Sequence, residues 1–458
     1  MKLTLIHPAI GRFAGDRRYI RSWQMEPLPT AVVAALTPRD VEVVFHDDRV
    51  EEIPFDAPTD LVALSVETYT ATRSYQIASE YRRRGVPVIL GGFHATLAPD
   101  EVARFGDAVV LGEAETLWPQ VIDDFRHGRL EAVYRAAERP SLAGATPRRE
   151  IFRGKRYLPV RLIETGRGCR FRCDFCAVQS YYGATYTRRP TDEILAEIQA
   201  QRRGARLFFF VDDNMTADLK QAKEFFRALA PLKIRWVSQA SINAARDPEL
   251  VELMARSGCR GLLIGFESLD PDALAAVNKA WNTAGGGYEE PLANLRRHRI
   301  CIYATFLFGG DRDTPQSFRD ALDFAREHAF YIAAFNHLTP FPGTPLYRRL
   351  EEEGRLLYHP WWRDPSYRYN RIPFQPKEMS AEEVQRRCIE ARQEFYSLPS
   401  VARRFVDPVN RPDFFMLRNF WPINLMIRGE VHQRDALPLG DQDWRGSLLE
   451  VGSKVGEG

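Results

Sequence analysis

Apolar runs of strand length recur along the first third of the chain, at Leu3–Ile6, Val41–Phe45, Leu61–Ser65, Val86–Leu90 and Ala108–Leu111. Helix-length stretches lie between several of them, such as Thr72–Arg84, stopped by Gly85, and Pro99–Arg104. Apolar strands alternating with helices predict βαβ units in a parallel, doubly wound sheet. The ligand of such a sheet sits at the carboxyl ends of its strands. Those ends carry Ser65-Val66-Glu67-Thr68, Gly91-Gly92-Phe93-His94 and Gly112-Glu113-Ala114-Glu115.

The alternation lapses over residues 125 to 157, where Ala136–Ile151 mixes Arg, Pro, Gly and Ser without an apolar period and reads as an exposed linker. It resumes with strands at Leu158–Ile163, Leu207–Val211, Ile234–Val237, Gly261–Phe266, Ile300–Phe308 and Tyr331–Phe335. Helical stretches at Lys220–Leu229, Pro248–Ser257, Pro271–Ala276, Pro291–His298 and Pro315–Glu327 separate them, and Thr191 is the expected N-cap of an earlier helix. Six βα repeats predict a partial barrel rather than a closed eightfold one. Beyond Tyr347 a helical extension is expected. Ser380-Ala381-Glu382-Glu383 starts one helix, and Phe414–Ile427 is apolar enough to be packed. The segment Tyr358–Arg371, rich in aromatics and arginines, suits stacking on a flat substrate or covering a barrel rim. The tail Gly452–Gly458 is expected to fray. The pattern divides the chain into an α/β domain at 1–135, a linker at 136–157, a barrel at 158–350 and a helical extension at 351–458 that suits a substrate lid.

Composition adds bounds rather than a function. A chain of 458 residues exceeds one core, and 45% apolar with 27% charged residues is ordinary for a globular protein. The formal net charge of +2 gives no global reason to expect nucleic acid or an anionic membrane. No apolar run reaches the roughly 18 residues of a membrane span, and Pro8 ends the first strand too early for a signal peptide. Of six cysteines, Cys259, Cys301 and Cys388 are scattered in apolar surroundings and read as reduced core residues, which fits a cytoplasmic protein.

The other three change the picture. Cys169, Cys173 and Cys176 stand at spacing C-x3-C-x2-C in a glycine-containing loop directly after a strand. Three thiolates converging on one loop suit a metal or cluster, and no fourth Cys or His follows in the loop to close a zinc site. On a [4Fe–4S] cube three ligands leave one iron open. Polar groups crowd the following strand ends: Asp212-Asp213-Asn214, Gln239 with Ser241, Glu267-Ser268 and Gly309-Gly310-Asp311. Each alone reads equally as a cap or surface group; together, beside a cysteine loop, they point to a cofactor site.

With Phe175 before its last cysteine, this loop resembles the signature of the radical S-adenosylmethionine (SAM) superfamily, across residues 158 to about 350. The resemblance implies that Cys169, Cys173 and Cys176 hold a [4Fe–4S] cluster whose open iron binds SAM. It further implies SAM contacts at Phe175, Asp213, Asn214, Gln239 and Glu267, and a flavodoxin or ferredoxin as electron donor. The first domain is similar to cobalamin-binding domains, with Ser65 and Gly91-Gly92 standing where that family lines the nucleotide tail. Its Asp-x-His-x-x-Gly motif is absent after the first strand, so cobalamin without a histidine ligand is expected. Together they resemble cobalamin-dependent radical methyltransferases acting on hopanoids and bacteriochlorophylls, and imply methylation of an unactivated carbon in a small, lipid-like or pigment-like substrate. Radical cyclisation or rearrangement is the alternative, and methylthiolation fits less well because no cysteine precedes Cys169.

Overall fold

The structure, a computed structural model, describes residues 1–16, 24–144, 146–432 and 436–452. Two six-stranded parallel sheets organise it. The first contains β1 (Lys2–His7), β2 (Glu42–Asp47), β3 (Leu61–Ser65), β4 (Val88–Gly91), β5 (Ala108–Leu111) and β6 (Val133–Arg135), in spatial order β2-β1-β3-β4-β5-β6. Successive residues of these strands serve opposite core layers, as the period of two requires. Val62, Leu64, Val88 and Leu90 pack with the Ala71–Arg83 helix on one face. Leu61, Ala63 and Ile89 pack with the Leu28–Leu36 and Trp118–Arg126 helices on the other. Burial on both faces explains why these strands are continuous apolar runs.

The second sheet runs β12-β11-β10-β9-β8-β7 in strict neighbour order. Its strands are β7 (Val160–Ile163), β8 (Leu207–Phe210), β9 (Trp236–Gln239), β10 (Cys259–Glu267), β11 (Cys301–Phe308) and β12 (Ile332–His337). Six parallel strands with intervening helices form the expected partial barrel. Phe266, Phe306 and Phe335 on β10, β11 and β12 stack in a row at centroid separations of 5.7 and 5.5 Å.

Four local expectations change. Val133–Arg135 forms β6, and the following segment is not simply exposed: Leu142 and Phe152 are buried, and Arg149 pairs with Glu26 at 2.9 Å and Glu197 at 2.8 Å. Thr191 is the first helical residue and Pro190 the cap position, without a side-chain capping bond. The aromatic segment covers rather than presents itself. Trp361, Trp362 and Tyr367 are buried in the core of the first sheet, with Trp362 Nε1 donating to Glu101 at 3.0 and 3.1 Å. The Phe414–Glu430 helix buries only Met416, Phe420 and Asn424, so it is packed along one stripe and not around its girth. Residues 453–458 of the tail lie outside the described residues. No described helix is long and apolar enough to cross a membrane.

Candidate active site

The cysteine loop leaves β7 and is tied down by the next strand's end. Asp212 accepts from Thr165 N–H at 2.7 Å and from the Thr165 hydroxyl. Asp213 accepts from Gly168 N–H at 2.7 Å, one residue before Cys169. Asn214 Nδ2 donates to Cys169 Sγ at 3.7 Å, while its Oδ1 accepts from Thr216 N–H and hydroxyl. Gln239 at the end of β9 donates to the Asp212 carbonyl at 3.4 Å. Burial pushes the Asp212 carboxyl up to about 6 and raises that of Asp213, so both are costly to ionise where they stand.

Glu267 is held differently. The ladder between β10 and β11 slips after Gly265, and Glu267 takes φ of 63°, a left-handed conformation uncommon for a side-chain-bearing residue. A Cβ at Gly265 would stand 2.1 Å from Glu267 Oε1 and 2.8 Å from Lys279 Nζ, so any side chain there would displace this pair. The bulge turns Glu267 onto Lys279, with Nζ to Oε1 at 2.6 Å and both side chains nearly buried. Lys279 also faces the Phe175 ring at 5.9 Å and the Trp281 ring at 5.3 Å, and Trp281 stacks on Phe171 of the cysteine loop at 3.6 Å. Neither Lys279 nor Trp281 is singled out by the sequence pattern. The available signal is that Lys279 is the sole lysine between Lys233 and Lys377 in an arginine-rich chain.

In the first sheet Ser65 and Gly91 are register partners at the ends of β3 and β4. Gly92 has φ of 101°, and a Cβ there would lie 2.9 Å from Ser65 Oγ and Val66 N. The structure thus brings Ser65, Gly91 and Gly92 to one place. Beside them Glu67 keeps open access to solvent, yet burial by surrounding protein pushes its carboxyl up to about 7. Its side chain thus has protein around it while its surface stays open to solvent, as at the wall of a cleft. His94 is buried between Thr68 Oγ1 at 3.2 Å and Glu101 Oε1 at 3.3 Å, and burial pushes His7 down to about 4.

The carboxyl ends of the two sheets meet across this cleft. Phe93, next to Gly92, stacks on Tyr181 at 4.3 Å, and Tyr181 lies on the Ala177–Tyr182 helix that starts after Cys176. Arg167 of the cysteine loop grips Glu164 through two bonds of 2.8 and 2.9 Å and reaches Glu115 at 2.7 Å and Glu113 at 3.3 Å beyond β5. Burial works against its charge, but Glu164 and Glu115 outweigh that and hold the guanidinium ionised. Arg139 adds a bond to Glu113 at 2.7 Å and covers the Tyr182 ring at 4.4 Å. Asp311 turns elsewhere, pairing with Arg355 at 2.9 Å and Lys377 at 3.0 Å.

Residues 163–325 match the model of the radical SAM superfamily, and residues 24–122 match that of the B12 binding domain. Bacteriochlorophyllide d C-12(1)-methyltransferase of Chlorobaculum tepidum is 33% identical over 82% of this chain and 84% of its own length. This chain belongs to the radical SAM enzymes that carry a B12-binding domain. Hopanoid C-2 methylase of Rhodopseudomonas palustris is 26% identical over 73% of this chain and 66% of its own length. Among solved structures, the cobalamin-dependent SAM radical enzyme OxsB aligns with a TM-score of 0.64 over 94% of this chain and 72% of that one, at 14% identity. The family's cofactors are a [4Fe–4S] cluster, SAM and cobalamin.

The chemistry of the loop fits the cluster. Its three cysteines are free, and burial pushes the Cys173 thiol up to about 12 and raises that of Cys176. Such thiols ionise at neutral pH when iron supplies the opposing charge. Among the described residues no three His, Cys, Asp or Glu side chains come together as ligands of a single ion. A cube, which gives each thiolate a different iron, does not ask them to.

Proposed function

We propose that this chain is a cobalamin-dependent radical SAM methyltransferase that places a methyl group on an unactivated carbon of a flat, pigment-like or lipid-like small molecule. The observation that carries the reading is the contact between Phe93 and Tyr181. It puts the strand ends bearing Ser65, Gly91 and Gly92 against the helix that follows Cys176, so both cofactor stations open to one cleft. Membership of the family and the 33% identity to a pigment methyltransferase support the reaction and the substrate class.

In this reading Cys169, Cys173 and Cys176 hold the cluster, and Phe175, Asp213, Asn214, Gln239 and Glu267 frame SAM. Ser65, Gly91 and Gly92 line cobalamin, which receives no histidine from the protein; the engagement of both His94 ring nitrogens supports that last point. Bound there, the cluster and SAM would supply the hydrogen-abstracting radical and cobalamin would supply the methyl group. The chain's own part is positioning and exclusion. Asp213 holds the backbone of the cysteine loop through Gly168, Asn214 donates to Cys169, and Lys279 keeps a positive charge beside Cys173. The Arg167 carboxylate cluster fixes the separation of the two sheets. The domain division at 1–135, 136–157, 158–350 and 351–458 and a flavodoxin or ferredoxin donor belong to the same proposal.

Anaerobic reconstitution with iron, sulfide, cobalamin and SAM, followed by nucleoside and product mass analysis, tests it. Cobalamin absorbance in the purified protein, 5′-deoxyadenosine and a product heavier by one methylene are expected. Full cluster loading and 5′-deoxyadenosine without bound cobalamin would overturn methyl transfer and leave the radical core.

A further inference from the structure

The chain's last two long helices, Leu398–Val406 and Phe414–Glu430, cap the amino-terminal end of the barrel. The Cys301 thiol at the start of β11 donates to the Val409 carbonyl at 3.3 Å, and the Tyr331 hydroxyl, just before β12, donates to the Met416 carbonyl at 3.0 Å. The inward stripe of the longer helix, Met416, Phe420 and Asn424, accounts for its packing. Its outward stripe is apolar as well. Phe414 is 74% exposed and Leu425 43%, and on the neighbouring helix Leu398 is 52% and Val406 63% exposed. Large apolar side chains at that level of exposure, gathered on two adjacent helices, mark an interaction surface rather than scattered surface residues.

Arginines punctuate the patch. Along the longer helix the exposed sequence is Phe414, Arg418, Leu425 and Arg428, with Trp421 on the same side half-buried against Phe405 and Arg428 also donating to the Tyr396 carbonyl at 3.1 Å; Arg403 and Arg411 add exposed charge beside it. The two aspartates beside them, Asp407 and Asp413, are taken by arginines of the barrel. Asp407 pairs with Arg296 at 2.6 Å, and Asp413 with Arg260 at 2.7 Å and Arg235 at 3.0 Å. The surface is thus apolar and locally cationic on a protein whose formal charge is only +2.

We propose that this helix pair docks the enzyme onto an anionic lipid bilayer. Phe and Leu interleaved with Arg on one face is the composition of helices lying in a membrane interface, where the apolar groups enter the acyl boundary and the guanidiniums meet phosphate. The charge argues against a second copy of the chain as occupant, since a two-fold contact would set these arginines against their own equivalents. The docked enzyme holds the cysteine loop and the Ser65 strand end on the side of the barrel away from the bilayer.

Flotation of the full-length, cofactor-loaded chain with phosphatidylcholine vesicles, with and without phosphatidylglycerol, tests this. Binding is expected only with the anionic lipid and should weaken as salt rises. Arg418→Gln/Arg428→Gln should bind about thirtyfold more weakly, at about fivefold per arginine. Phe414→Ser/Leu425→Ser should lose binding while the melting temperature, iron content and cobalamin spectrum stay unchanged. Absence of binding to anionic vesicles, or equal binding by both variants, would overturn the proposal. So would a concentration-dependent dimer in light scattering that Phe414→Ser/Leu425→Ser abolishes, which would assign the surface to a second copy.

Discussion

Lys279 and Glu267 form an ion pair of 2.6 Å with side chains 8% and 12% exposed, so neither charge is well solvated. Replacing Lys279 with Met leaves the Glu267 carboxylate in a low-dielectric pocket beside three cysteines, with its backbone held in place by the bulge. Breaking a buried pair in this way costs about 3–5 kcal/mol. The reverse deletion is milder. In Glu267→Gln the ammonium keeps an amide acceptor and still faces the Phe175 and Trp281 rings at 5.9 and 5.3 Å, so about 1–2 kcal/mol is expected. The double variant removes both charges and should lie closer to Glu267→Gln than to Lys279→Met, with a coupling energy of about 3 kcal/mol.

Anaerobic urea denaturation of the cofactor-free chain, followed by tryptophan fluorescence and extrapolated linearly, measures all three corners. Trp281, stacked on Phe171, sits close enough to report local loosening. Lys279→Met should also hold iron less firmly, because its charge opposes that of the Cys173 thiolate. Equal costs for the two single variants and strict additivity in the double would refute the reasoning, since they would mean that solvent already screens both charges.

Asp212, pushed up to about 6 by burial, keeps a proton in the folded state that the unfolded chain releases near 3.8. Stability of the cofactor-free protein should therefore fall as pH rises from about 4 to about 6, and the shift corresponds to about 3 kcal/mol. Asp212→Asn should flatten that slope in urea midpoints measured across the window, and an unchanged slope would assign it to another group. Arg404 is buried without a carboxylate, donating to the Phe330, Tyr331 and Phe395 carbonyls and to Asn424 Oδ1. Arg404→Met should cost about 3 kcal/mol in thermal or urea unfolding, and Arg404→Lys should not rescue it because one ammonium cannot span those acceptors. Gly92→Ala combines φ of 101° with a 2.9 Å overlap on Ser65 Oγ. It should destabilise by about 2 kcal/mol and reduce cobalamin absorbance after reconstitution, whereas Gly85→Ala, with φ of 72° but open space around it, should retain the absorbance.

Both sheets were legible because their strands are buried on two faces and so write themselves as uninterrupted apolar runs. β6 was not, since Val133 and Arg135 are exposed and only Tyr134 is buried, which leaves no run to see. The cysteine loop was legible from spacing alone, and Asp213 and Asn214 from their place at a strand end. The partner of Glu267 was not. It depends on a bulge and a positive φ twelve residues before Lys279, and no periodicity records either. The longer C-terminal helix exposes a further limit: an apolar count says how much of a helix avoids water, not whether a neighbour covers it. Phe420 and Phe414 look alike in sequence, yet one is buried and the other exposed. The Trp361-Trp362 pair was ambiguous for the same reason: Trp362 finds its partner in Glu101 on the short Pro99–Val102 helix and Trp361 in the Pro340 carbonyl, and no pattern along the chain records either.

The width of the cleft is a property of neither sheet. Each sheet fixes its own strand ends: register aligns Ser65 with Gly91, and the Thr165, Gly168 and Cys169 contacts pin the cysteine loop to the end of β8. What relates the two ends is a small set of side chains between them. Arg167 binds Glu164 on its own loop and Glu113 and Glu115 on the other sheet, while Phe93 and Tyr181 stack across the same gap. A planar guanidinium shared by three carboxylates tolerates little displacement, and stacked rings resist closure because their faces are already in contact. One device limits opening and the other limits collapse. Two cofactors bound to separate sheets must be kept at a working separation, and a clamp paired with a spacer achieves that without a rigid connection through the backbone.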